Sequence, residues 1–117
     1  MESEQAILAL AALAQSTRLG VFRLLVKHEP EGLAAGDIAK LLAVPQNTMS
    51  AHLAVLARAD LVMSERKSRS IIYRANLAAF QNLTSFMVKD CCGGRADLCV
   101  PVTACRPERS KRAKVRI

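Results

Sequence analysis

The stretch AAGDIAKLLAVPQNTMSAHLAVLARA, residues 34–59, decides the fold. Its first part, AAGDIAKLL, puts Ile38, Leu41 and Leu42 at i, i+3 and i+4, which predicts a short amphipathic helix. Ala43, Val44 and Pro45 break it. The remainder sets Met49, Leu53 and Leu56 at i, i+4 and i+7, so a second helix runs from Gln46 to Ala59 with one apolar stripe. Small Ala39 lets the two helices approach closely. Two short helices across a three-residue turn are the pattern of a helix-turn-helix.

Upstream, residues 4–14 read as a helix apolar on nearly all sides, which needs cover on more than one face. Gln15, Ser16 and Thr17 interrupt it, and Ser16 or Thr17 can cap the next helix. That helix runs to about His28, with Val21, Leu24 and Leu25 on one stripe and Leu19, Phe22 and Val26 beside it. Residues 29–32, EPEG, read as a loop. Downstream, VMSER and RSIIYRA flank Lys67 and Ser68 as the two strands of a hairpin. Asn76 can cap a last helix from Leu77 to about Cys92, apolar at Leu77, Phe80, Leu83, Phe86 and Met87, and Gly93 suits its C-terminal end. The expected fold is mainly α with a small β-hairpin, in the order α-α-α-α-β-β-α: a winged helix-turn-helix over residues 1–92, followed by a tail over 93–117.

At 100° per residue, the side of the second helix opposite its stripe carries Asn47, Ser50, Ala51, Ala54 and Arg58, with Gln46 at the N-terminus. This face is polar or small and holds no acid. Gln and Asn can pair bidentately with adenine, Ser can donate or accept, and small residues let a helix sit deep in a major groove. A plain solvated helix face would look similar. Arg66, Lys67, Arg69 and Arg74 follow Glu65 without another acid, and a basic hairpin tip suits phosphates. It also suits an edge strand guarded against aggregation. Helix, turn, helix and basic wing in that order favour double-stranded DNA as the partner. Gln46, Asn47, Ser50, Ala51, Arg66, Lys67 and Arg69 are the candidate contacts. His52 lies near the core edge of the helix, and with only His28 elsewhere it makes poor zinc-site material.

The chain has 117 residues, enough for one domain with a small core. Its net charge of +7 is a weak guide to a partner, because residues 106–117 alone hold six Lys/Arg and one Glu. No run reaches the roughly 18 apolar residues of a membrane span. The apolar segment at 6–14 follows Glu2 and Glu4, where a signal peptide is basic, so a cytoplasmic location with reduced thiols is expected. Four cysteines, Cys91, Cys92, Cys99 and Cys105, crowd into 91–105 and read as one local site.

The segments STRLGVFRLL, DIAKLLAVPQNTMSAHLAVLARADLV and ERKSRSIIYR together resemble the arsenic- and metal-responsive winged-helix repressors, the ArsR family. The Ser-x-His-Leu-x-x-Leu of that family is present at Ser50 to Leu56, and the resemblance covers about residues 5–92. It implies a homodimer, joined through the first and last helices, that blocks transcription until an inducer binds. Two family patterns are absent: helix 34–42 has no cysteine, and the last helix has no histidine. DCCGGRADLC, residues 90–99, is instead similar to the branch whose arsenic site lies at the C-terminal end of the last helix.

Thiolates select soft ions, and trivalent arsenic or antimony takes three ligands in a pyramid. Cys91, Cys92 and Cys99 supply three, Gly93 and Gly94 let the chain turn back, and Cys105 stands as a further candidate ligand. Zinc prefers four ligands, and this spacing lacks the Cys-x2-Cys pairs of structural zinc. The expected inducers are arsenite or methylated arsenite, with antimonite as a further candidate. A thiol redox switch is the main rival. A thiol enzyme would want a cysteine at a helix N-terminus beside a base, which the sequence lacks. A metal-buffering protein would leave the helix-turn-helix unexplained.

Overall fold

In the computed structural model of this protein, residues 1–89 are described. The element order is α1 (Ser3–Leu13), α2 (Ser16–Lys27), β1 (Leu33–Ala34), α3 (Ala35–Leu42), α4 (Gln46–Arg58), β2 (Val62–Lys67), β3 (Ser70–Ala75) and α5 (Leu77–Lys89). Residues up to Leu83 make one compact unit; residues 84–89 are the last described turns of α5. The four cysteines, Gly93, Gly94, the 92/93 boundary and the basic tail lie outside the described residues.

The helix-turn-helix packs as its periodicity predicts. Ile38 and the small Ala39 of α3, and Met49, Leu53 and Leu56 of α4, are buried. Leu25, Val21, Leu61 and Leu83 join them among the fully buried side chains. Burying an aliphatic side chain of this size stabilises by about 1.5–3 kcal/mol. The turn closes through Ala43, which takes a left-handed φ of 55°. Its N–H reaches Lys40 O at 3.2 Å, and Val44 N–H reaches Ala39 O at 3.0 Å. These bonds satisfy carbonyls that end α3.

The structure departs from the sequence reading in several places. Leu33 and Ala34 form a third strand, β1, so the wing is a three-stranded antiparallel sheet in the order β1-β3-β2. Leu33 pairs with Tyr73 and Ala34 with Ile72. A two-residue strand is too short to show an alternating pattern, and only its partner reveals it. Gly32 leads into it with φ 77°, where a Cβ would lie 2.5 Å from Tyr73 O, so this close approach requires glycine. The cap of α2 is Gln15, whose side chain accepts from the Arg18 N–H at 2.8 Å, not Ser16 or Thr17. Phe22 is buried and stacks at a tilt on Phe80, ring centroids 5.3 Å apart, while Leu19 and Val26 are exposed.

Asn76 does cap α5, accepting from the Ala79 N–H at 3.2 Å. Its amide also donates to Asp60 O at 2.9 Å, which ties the end of α4 to the start of α5. In α1 only the small Ala6, Ala9 and Ala12 are buried, while Ile7, Leu8 and Leu10 are exposed. Leu83, read as part of an intersubunit face, is 1% exposed within its own unit. Among the described residues no single helix is long and apolar enough to cross a membrane.

Candidate nucleic-acid interface

Helix α4 presents the face that its sequence predicts. Met49, Leu53 and Leu56 are at most 1% exposed, and Gln46, Asn47, Ser50, Ala51, Ala54 and Arg58 all reach solvent. No acid occurs between Gln46 and Arg58. The N-cap is Pro45, which offers no side-chain acceptor, so the Gln46 and Asn47 amides at the start of the helix remain available to an anion. Asn47 Oδ1 accepts from the Thr48 N–H at 2.9 Å, leaving its amide NH2 as the group free to donate.

The wing is more finely divided than a basic run suggests. In the β2–β3 ladder, Arg66 lies opposite Ile71, Lys67 opposite Ser70 and Glu65 opposite Ile72. Directly paired residues share a sheet face and alternate along each strand. Arg66 therefore shares its face with Ser64, Tyr73 and Ile71, with no acid. Lys67 shares the other face with Glu65. Ser68 and Arg69 make the turn, with Ser68 at φ 56° and both exposed.

Arg74 is not part of the tip. Its Nη2 donates to Glu29 Oε1 at 2.7 Å, and the Ala75 N–H donates to Glu29 Oε2 at 3.1 Å. The bond and the charge of Glu29 raise the Arg74 pKa further, so this guanidinium stays charged where it pairs with Glu29 at the base of the hairpin. Its Nε is buried without an acceptor among the described residues. Sequence spacing placed Arg74 beside Arg69. The loop that brings Glu29 across carries no signal for that contact.

His52 is half-buried, with Nδ1 3.3 Å from Arg18 Nη1. Among the described residues no group of three or more His, Cys, Asp or Glu is placed to hold a metal ion. The sequence-predicted DNA contacts thus fall into two sets, the α4 face and the hairpin tip, both exposed. The predicted thiol ligands Cys91, Cys92, Cys99 and Cys105 lie outside the described residues.

The family model described as a helix-turn-helix domain matches residues 13–65, from the end of α1 into β2. The transcriptional activator HlyU of Vibrio cholerae is 31% identical over 71 residues, which cover 61% of this chain and 63% of HlyU. The match therefore spans less than two thirds of that relative. A solved structure of reduced HlyU superposes with a TM-score of 0.59 at 25% identity, covering 75% of this chain and 88% of that one. A homodimeric winged helix-turn-helix DNA-binding domain from Mycobacterium bovis, of a possible ArsR-family transcriptional regulator, superposes with a TM-score of 0.62 at 26% identity. It covers 73% of this chain and 77% of that domain. HlyU is named as a transcriptional activator and the Mycobacterium bovis protein as a possible transcriptional regulator, and the fold shared with this chain is the winged helix-turn-helix.

Proposed function

We propose that this chain is a cytoplasmic transcriptional regulator of the ArsR type, which binds double-stranded operator DNA as a homodimer and leaves it when trivalent arsenic binds its C-terminal thiols. The observation that carries the DNA-binding reading is the acid-free outer face of α4, opposite a stripe buried to 1% or less, beside a basic hairpin tip. Short polar and alanine side chains there fit a major groove, and Arg66 and Arg69 fit flanking phosphates. Exposed Ile7, Leu8 and Leu10 on α1 support a second subunit as partner, since these apolar side chains have no cover among the described residues. The Mycobacterium bovis relative is itself homodimeric.

The inducer reading rests on residue chemistry. Cys91, Cys92 and Cys99 offer three soft ligands, which suit arsenite, methylated arsenite or antimonite better than zinc. Repression follows if the dimer occupies a promoter; HlyU bears the name of an activator, so the operator's position sets the sign of regulation. A second reading, oxidation of Cys91 or Cys92 to a disulfide with Cys99 or Cys105, is favoured by the same thiol cluster.

The test is selection of a duplex from a random-sequence pool, followed by anisotropy with the full chain. Sequence-preferring, salt-sensitive binding is expected. Failure of any duplex to bind at low salt would overturn the DNA-binding reading. Titration with arsenite and with mild peroxide then separates the two inducer readings, since a disulfide lowers the protein mass by two hydrogens, whereas arsenite exchanges thiol hydrogens for arsenic and raises it.

A further inference from the structure

Arg18 joins three helices. Its backbone N–H is held by Gln15 at the start of α2, and its Nε donates to Ala12 O at 2.7 Å. Its Nη1 meets His52 Nδ1, at 3.3 Å, midway along α4. Ala12 lies in the last turn of α1, where carbonyls lack helical partners. That turn has no basic residue of its own, and the Arg18 guanidinium supplies the cation a helix C-terminus favours. Among the described residues no carboxylate pairs with Arg18; the one salt bridge is Arg74 with Glu29.

A guanidinium has donors only, so His52 Nδ1 must accept. His52 stands between exposed Ala51 and buried Leu53. Rolling α4 about its axis would change which residues face outward and would draw His52 off Arg18.

We propose that Arg18 is a positioning residue for DNA recognition: through His52 it fixes the roll of α4 against the end of α1. This rests on the reading of α4 as the base-reading helix. It adds a path by which α1, whose outer side carries Ile7, Leu8 and Leu10, sets the face that α4 offers to DNA. Neither Arg18 nor His52 touches a base in this scheme, so both act on discrimination between sequences and not on the phosphate count.

The test uses the full-length protein with Arg18→Met, His52→Phe, His52→Asn and the double variant Arg18→Met/His52→Phe. Anisotropy gives affinities for the selected duplex and for a scrambled one across salt concentrations, well below each variant's melting temperature. Arg18→Met and His52→Phe should each cut the selected-to-scrambled ratio roughly tenfold, with the salt slope unchanged. The double variant should be no worse than Arg18→Met alone, since both changes break the Arg18–His52 hydrogen bond and Arg18→Met already releases Ala12 O. His52→Asn, whose Oδ1 can replace Nδ1 as acceptor, should keep the ratio near wild type. Multiplying effects in the double variant, an unchanged ratio in the single variants, or His52→Asn behaving as His52→Phe would each overturn the proposal. Wild type failing to bind any duplex would instead overturn the DNA-binding reading, and the positioning role with it.

Discussion

Arg74 and Glu29 are bound at 2.7 Å across the base of the wing, 45 residues apart in sequence. The pair removes one of four basic residues from the phosphate-facing set. Arg66→Ala and Arg69→Ala should each reduce the slope of log affinity against log salt by about one unit for every phosphate the side chain neutralises. Arg74→Ala should leave that slope unchanged and lower thermal stability instead. Lys67→Ala should have a smaller effect than Arg66→Ala, because Glu65 shares its face. Anisotropy at several salt concentrations reads all four; a slope change for Arg74→Ala matching that of Arg66→Ala would place Arg74 on DNA.

On α4, Gln46→Ala, Asn47→Ala and Ser50→Ala should relax sequence preference, at about 1–3 kcal/mol for each good hydrogen-bonded pairing with a base. Ala51→Glu and Ala54→Glu should abolish binding to every duplex while leaving the melting temperature close to wild type, since both positions are exposed. Competition between selected and scrambled duplexes, with circular dichroism melts alongside, checks both expectations. Retained binding by Ala51→Glu would move the DNA face off this helix.

The α3–α4 turn carries avoidable strain. Ala43 holds φ 55°, a region that costs an L-residue roughly 1–2 kcal/mol, whereas glycine enters it freely. Allowing for the greater flexibility of unfolded glycine, Ala43→Gly should stabilise the protein by about 0.5–1 kcal/mol. Denaturant unfolding with an unchanged m-value measures this; a loss of stability would contradict the left-handed turn.

Leu83 and Ile7 distinguish the core from the proposed dimer contact. Ile7→Glu and Leu10→Glu should give folded monomers by sedimentation, because both side chains are exposed in the single chain. Operator affinity should fall with them, as two half-sites no longer bind as one unit. Leu83→Glu should instead unfold the protein, by leaving an unpaired charge in its core. A dimeric Ile7→Glu protein would place the interface elsewhere.

Much of this was legible in the sequence because periodicity reports burial directly. The Met49, Leu53 and Leu56 stripe fixed the outer face of α4, and Asn76 announced the start of α5. Contacts between distant segments left no such trace. Leu33 and Ala34 are strand only because β3 is beside them, and Glu29 reaches Arg74 only because the 28–32 loop folds over β3. The alanines of α1 misled in another way: an all-apolar helix suggested cover on several faces, yet its small side chains are the buried ones and its large ones are exposed. Arg18 lies in the segment STRLGVFRLL, yet its contacts left no trace there, because its partners are a backbone carbonyl and a ring nitrogen.

The most direct measurement is anisotropy of a selected duplex bound by the full chain, titrated with arsenite, for wild type and for Cys91→Ser, Cys92→Ser, Cys99→Ser and Cys105→Ser. All five proteins should bind the duplex equally, since none of these thiols lies on α4 or the wing. Arsenite should release wild type. It should release the first three variants far less, because a hydroxyl is a poor ligand for a soft ion, and Cys105→Ser should respond more nearly as wild type does. Release of the Cys91, Cys92 and Cys99 variants at wild-type arsenite concentrations, or no release of wild type by arsenite, would contradict the thiol-site mechanism.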